Sequence, residues 1–145
     1  MKEIIRGDML SVLGSVDHFI ICTGSNLRSA DKTLVMLNGL AGVLAAKYPV
    51  MPAAMGKWIL DTVGDCGIFN LRCVAKVGLF QNMILPRHGC DLGLVSRACI
   101  LLSELARANP EKSYALEHPG GTEPEFMVQG LINMLPANVS VWKPE

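Results

Sequence analysis

The sequence predicts an α/β fold in three layers, a central mixed and largely parallel sheet flanked by helices. Three observations predict it. Strand-like and helical segments alternate, residues 17–23 (DHFIICT) form a nearly unbroken apolar run, and glycine- or Asx-rich junctions fall where strands end. Alternation of this kind places successive strands in one sheet with helices on both faces. An apolar run of that length suits a strand buried on both sides.

The chain has 145 residues, half of them apolar and 18% charged, enough to bury a core of its own. It is read as one domain over residues 1–145. Lys+Arg and Asp+Glu balance at 13 each with no basic run, so neither general nucleic-acid affinity nor attraction to anionic membranes is expected. The cysteines (Cys22, Cys66, Cys73, Cys90, Cys99) are odd in number and lack a C-x-x-C spacing. Reduced thiols in a cytoplasmic setting are the simplest reading. No stretch approaches the ~20 apolar residues of a membrane span, and no leader-like segment opens the chain.

The elements follow in order. Residues 2–6 are a short strand ended by Gly7-Asp8, and residues 17–23 a second, closed by Gly24-Ser25-Asn26. Residues 34–47 are rich in Ala and Leu and read as a helix stopped before Pro49. Residues 52–63 form another, with Pro52 tolerated in its first turn. Two β-like segments follow at 67–73 and 76–83, as a hairpin or as neighbouring strands. Residues 91–108 give the clearest helix, capped by Asp91 and ended by Asn109-Pro110. A strand at 113–117, a helix at 125–135 and a strand at 138–142 complete the chain.

Ligands of such sheets gather outside the carboxyl ends of the strands, so the junctions there are the candidate sites. Asp8 can accept hydrogen bonds from an exocyclic amine, or cap the turn that begins at Met9. Ser25 and Asn26 can bind ribose hydroxyls, or simply form an Asx or Ser turn. Asn38 and Gly39 lie in a segment that can present free helix N–H groups to a phosphate, while Gly39 and Gly42 can equally serve close helix packing. Gly120, Gly121 and Thr122 can form an anion-binding nest, or a tight loop in which Thr122 and Glu125 make a capping box.

Other chemistries find less support. The chain lacks G-x-x-x-x-G-K-[ST], G-x-G-x-x-G, G-x-S-x-G and H-E-x-x-H. His88, Cys90 and Asp91 lie close in sequence, but further ligands for a metal are not evident, so no metal is expected. Phe80 and Trp58 read as core or pocket wall.

The order of the motifs is itself informative. A GD turn after the first strand is followed by an apolar strand ending in a small/Asn loop. Then come L-V-M-x-x-G-x-A before an alanine-rich helix, A-K-Y-P, a G-L-F-Q strand and a long helix ending A-N-P-E-K. A P-G-G loop and a terminal L-P-A-N-V-S-V-W strand close the series. Across almost its whole length the chain thus resembles the macrodomain-like proteins that bind ADP-ribose, particularly compact ones of bacteria and their phages. The resemblance implies that Asp8 contacts adenine and that Asn26, or Ser25 if the loop is shifted by one, sits near the distal ribose. It places Asn38 and Gly39 in the first phosphate loop and Gly120, Gly121 and Thr122 in the second. Leu37 and Leu40 stand where the family usually has more glycine, and the second loop is shortened.

The function implied is binding of ADP-ribose or a related adenine nucleotide, without a cofactor. One alternative is hydrolysis of ADP-ribosyl groups or of ADP-ribose 1″-phosphate, with Asn26 orienting a water or a ribose hydroxyl and His88 or His118 serving as base. The other is a degenerate member acting as a protein-interaction module.

Overall fold

The computed structural model describes residues 1–24, 26–37, 39–61, 76–84 and 89–145. Strand β1 (Ile4–Arg6) leads through a 3-10 turn (Met9–Val12) into β2 (His18–Thr23). Two helices follow, α1 (Gly39–Lys47) and α2 (Met51–Asp61), and then β3 (Val77–Gln81). The long α3 (Leu92–Ala108), β4 (Tyr114–Glu117), the short α4 (Phe126–Ile132) and β5 (Val139–Lys143) complete the order. The expected strand at 67–73 lies outside the described residues.

The five strands form one sheet in the order β1-β5-β4-β2-β3, and every ladder between them is parallel. The one antiparallel pairing among the described residues is an isolated bridge, Leu27 to Leu34. The period-two alternation of each strand divides its side chains between two cores. Phe19, Ile21, Val77, Leu79 and Ala115 pack under α1 and α2 with Leu44, Met51 and Met55. Ile20, Phe80, Tyr114, Leu116 and Val141 face α3 and α4 with Val95, Leu102 and Val128. This is the three-layer architecture that the unbroken apolar runs predict.

Two local expectations need correction. The helix expected over 34–47 begins only at Gly39, because the Leu34 and Val35 amides bond to Pro52 and Asn26 carbonyls at 2.9 Å each. Tertiary backbone pairing there overrides a helix-favouring composition. The Thr122–Glu125 capping box does not form, since Glu125 makes no side-chain cap bond to α4. Its carboxylate instead takes both Arg6 guanidinium nitrogens, with Lys143 Nζ 3.4 Å away. That pairing holds Glu125 at a pKa of about 2. The Asp91 cap forms as expected, its Oδ1 accepting the Leu94 N–H at 3.0 Å.

Candidate functional site

Where β2 meets β4 the chain reverses its direction of travel across the sheet, since β3 lies on one side of β2 and β4 and β5 on the other. Loops leaving the carboxyl ends of two such strands diverge to opposite faces and leave a crevice between them. A two-lobed cleft lies there. One lobe, about 350 Å³, is walled by Thr23, Leu37, Asn82, His118, Gly121 and Thr122 among others. The other, about 550 Å³, lies beside Asp8, Leu40, Trp142 and Lys143. Gly39 and Glu117 line both. Each volume falls within the ~300–1,000 Å³ of ordinary small-molecule sites.

Glu117 forms the ridge between the lobes. It is the last residue of β4, and its Oε1 accepts the Cys22 N–H from neighbouring β2 at 2.8 Å. The Leu40 N–H, in the first turn of α1, also bonds to this carboxylate. Gly39 brings the helix start this close by adopting a left-handed φ of +59°, and a Cβ added there would face Glu117 Oε2 at 3.7 Å. Although the residue keeps some surface in the cleft, its carboxyl is desolvated, and burial pushes the pKa up to about 7 against the pull of the two N–H donors. The adjacent Cys22 thiol is pushed well up by burial and then by Glu117, so it is no thiolate nucleophile. Cys90, at the edge of the first lobe, is also raised by burial.

The first lobe gathers polar groups that find no partner among the described residues. Thr23 Oγ1, Asn82 Oδ1 and His118 Nε2 are buried without a hydrogen-bond partner among the described residues. Such atoms carry a desolvation cost, and they cluster at sites that have a use for them. Asn82 also pins the site together. Its N–H bonds to the Thr23 carbonyl at 3.1 Å, its carbonyl accepts the Asp91 N–H at 2.7 Å, and its Nδ2 donates to the Pro119 carbonyl at 2.9 Å. His118 Nδ1 accepts the Gly120 N–H at 3.2 Å, which puts the proton of the neutral ring on Nε2. Burial, then the nearby Lys143, lowers its pKa.

The second lobe offers a flat apolar face beside an acceptor. Trp142 Nε1 donates to Ser140 Oγ at 2.9 Å, which fixes the indole. Asp8 caps the 3-10 turn through an Oδ1 bond from the Leu10 N–H at 3.0 Å, and its carboxylate lines this lobe as well. An aromatic face next to a carboxylate can stack a planar base and accept from its amine.

Of the residues picked from sequence, Asp8, Gly39, Gly121 and Thr122 are brought to this one cleft. Asn26 is not among its lining residues, and its carbonyl instead receives the Val35 N–H at 2.9 Å. Gly120 is also outside the lining, its N–H turned toward His118. Ser25, Asn38 and His88 lie outside the described residues. Gly42 serves close packing, since a Cβ there would come within 2.7 Å of the Leu37 carbonyl oxygen. Among the described residues no group of three or more His, Cys, Asp or Glu is placed to hold a metal ion. Glu117 and Asn82 were not marked by any motif, while Thr23 and Trp142 fell within motifs, a strand-end junction and the terminal strand, without being given a ligand role. The available signal was a lone carboxylate ending an otherwise apolar strand beside His118-Pro119-Gly120.

One parallel sheet between two helical layers, with a cleft at its switch point, is a doubly wound α/β architecture. More particularly, the fold is macrodomain-like. The chain matches the macrodomain of Thermus aquaticus DarG with a TM-score of 0.71 at 19% identity, covering 100% of this chain and 98% of that one. It matches the macrodomain of Mycobacterium tuberculosis DarG with a TM-score of 0.62 at 17% identity, covering 100% of each. No protein-family model and no curated relative matches the chain.

Proposed function

We propose that the chain binds ADP-ribose or a closely related adenine nucleotide in the two-lobed cleft. The observation that carries this reading is the pairing of unlike lobes across one ridge. Asp8 and Trp142 suit an adenine in one lobe. Gly121, Thr122 and the start of α1 surround the other, where backbone N–H groups and unsatisfied polar side chains suit a phosphorylated ribose. The macrodomain-like fold supports the same ligand class.

Calorimetric and thermal-shift titrations with ADP-ribose, its cyclic forms, its 1″-phosphate and NAD test the reading. Saturable binding of at least one is the expected result. Silence from all of them at millimolar concentration rejects it, and leaves the interaction-module reading in its place.

A further inference from the structure

A helix N-terminus stabilises negative charge, because its first N–H groups lack intrahelical partners. In this protein that place is already taken from within. The Leu40 N–H bonds to the Glu117 carboxylate, which also holds the Cys22 N–H at 2.8 Å. The carboxylate lies on the ridge shared by both lobes, where a ligand spanning them must pass.

Among the described residues, the neighbouring groups do not offset its charge. On the β2 side stands Cys22, a thiol kept protonated by burial. On the β4 side His118 is held below its ordinary 6.5 and is neutral. From β5 comes Lys143, the one cation among the described residues lining the lobes, and it sits 3.4 Å from Glu125. Asp8, from the turn after β1, adds a further carboxylate. Cys90, before α3, has its thiol pKa raised by burial, and the first turn of α1 (Gly39, Leu40, Ala41, Gly42) has no titratable side chain.

We propose that Glu117 couples anion binding to proton uptake: the cleft accepts a phosphate-bearing ligand with Glu117 protonated and disfavours it with Glu117 ionised. The inference rests on reading the cleft as a nucleotide site and adds what governs its affinity. The proton comes from solvent. A neutral carboxyl retains a carbonyl oxygen for the Cys22 N–H, releases the Leu40 N–H to the ligand, and gains an O–H that can donate to a phosphate oxygen. Burial already brings the carboxyl to a pKa of about 7, so an adjacent dianion has only to raise it further.

The test is calorimetric titration of the full chain and of Glu117→Gln with ADP-ribose and with adenosine, from about pH 6 to about pH 8.5. The diphosphate of ADP-ribose stays ionised throughout, so any slope belongs to the protein. Wild-type affinity for ADP-ribose is expected to fall toward about tenfold per pH unit at the alkaline end, with net proton uptake seen in buffers of different ionisation enthalpy. The Gln variant is expected to show a flat profile and to bind about tenfold tighter than wild type near pH 8. Adenosine, which lacks phosphate, is expected to give flat profiles with both. A flat wild-type profile overturns the proposal, as does a folded Glu117→Gln that loses ADP-ribose at every pH. The wild-type proton count decides the matter even where the variant does not fold. Where ADP-ribose binds neither protein, the nucleotide reading fails, and sulfate decides the inference. Sulfate-induced amide shifts at Cys22 and Leu40 that weaken with rising pH in wild type, but not in the variant, support it. No shift, or the same pH response in both proteins, overturns it.

Discussion

The Asp8 carboxylate has roughly four acceptor positions, and the Leu10 N–H occupies one oxygen, so capping and ligand binding need not compete. The two roles separate by substitution. Asn also caps well, so Asp8→Asn is expected to keep stability within a few tenths of a kcal/mol while weakening ADP-ribose about tenfold. Asp8→Ala is expected to weaken binding similarly and to cost ~1 kcal/mol of stability in urea denaturation. Equal affinity in wild type and Asp8→Asn would remove Asp8 from the adenine site. Asp8 was legible in the sequence because a GD turn after a strand is a local signal. Glu117 was not. Its meaning depends on β4 pairing in parallel with β2, which sets its carboxylate against the Cys22 amide ninety-five positions away in the chain. No local pattern encodes that neighbour. Trp142 was likewise visible only as the end of a strand, and becomes a pocket wall through its place in β5 beside β1.

The elements follow the sequence where one local rule acts alone, and depart from it where a distant partner competes. The apolar strands and the Asp91 cap of α3 are of the first kind. The start of α1 and the unformed capping box at Glu125 are of the second, decided by Pro52 and Asn26 carbonyls and by Arg6. The loop before α1 shows what this means for the site. Leu37 is 65% exposed and lines the first lobe, while its carbonyl lies over the helix at Gly42. Gly42→Ala would set a methyl 2.7 Å from that oxygen, so the loop backbone must move. The expected cost is about 1–3 kcal/mol in chemical denaturation, with ADP-ribose affinity reduced because the wall of the lobe shifts. A variant with wild-type stability would show that the Leu37 segment does not pack on α1 in this way.

At the scale of the whole molecule, pH acts on stability through groups of opposite sign. Glu125, held near 2 by Arg6 and Lys143, favours the native state above the ordinary carboxylate range, and its contribution is lost as pH falls. His118, held below 6.5, acts in the same direction, because the native state resists protonating it as pH falls through that value. Glu117 acts the other way. Between its ordinary 4.5 and about 7 the native state keeps a proton that the unfolded chain has released, so stability falls as pH rises through that window. The loss approaches about 3 kcal/mol and is complete above the native pKa. Glu117→Gln removes this term and leaves the other two. Urea denaturation at about pH 5 and about pH 8 is therefore expected to show wild type losing stability relative to the variant over that interval. Parallel pH profiles in the two proteins would mean that Glu117 titrates as an ordinary surface carboxylate. The ridge between the lobes would then carry a full negative charge at neutral pH, and an anionic ligand would have to bind against it.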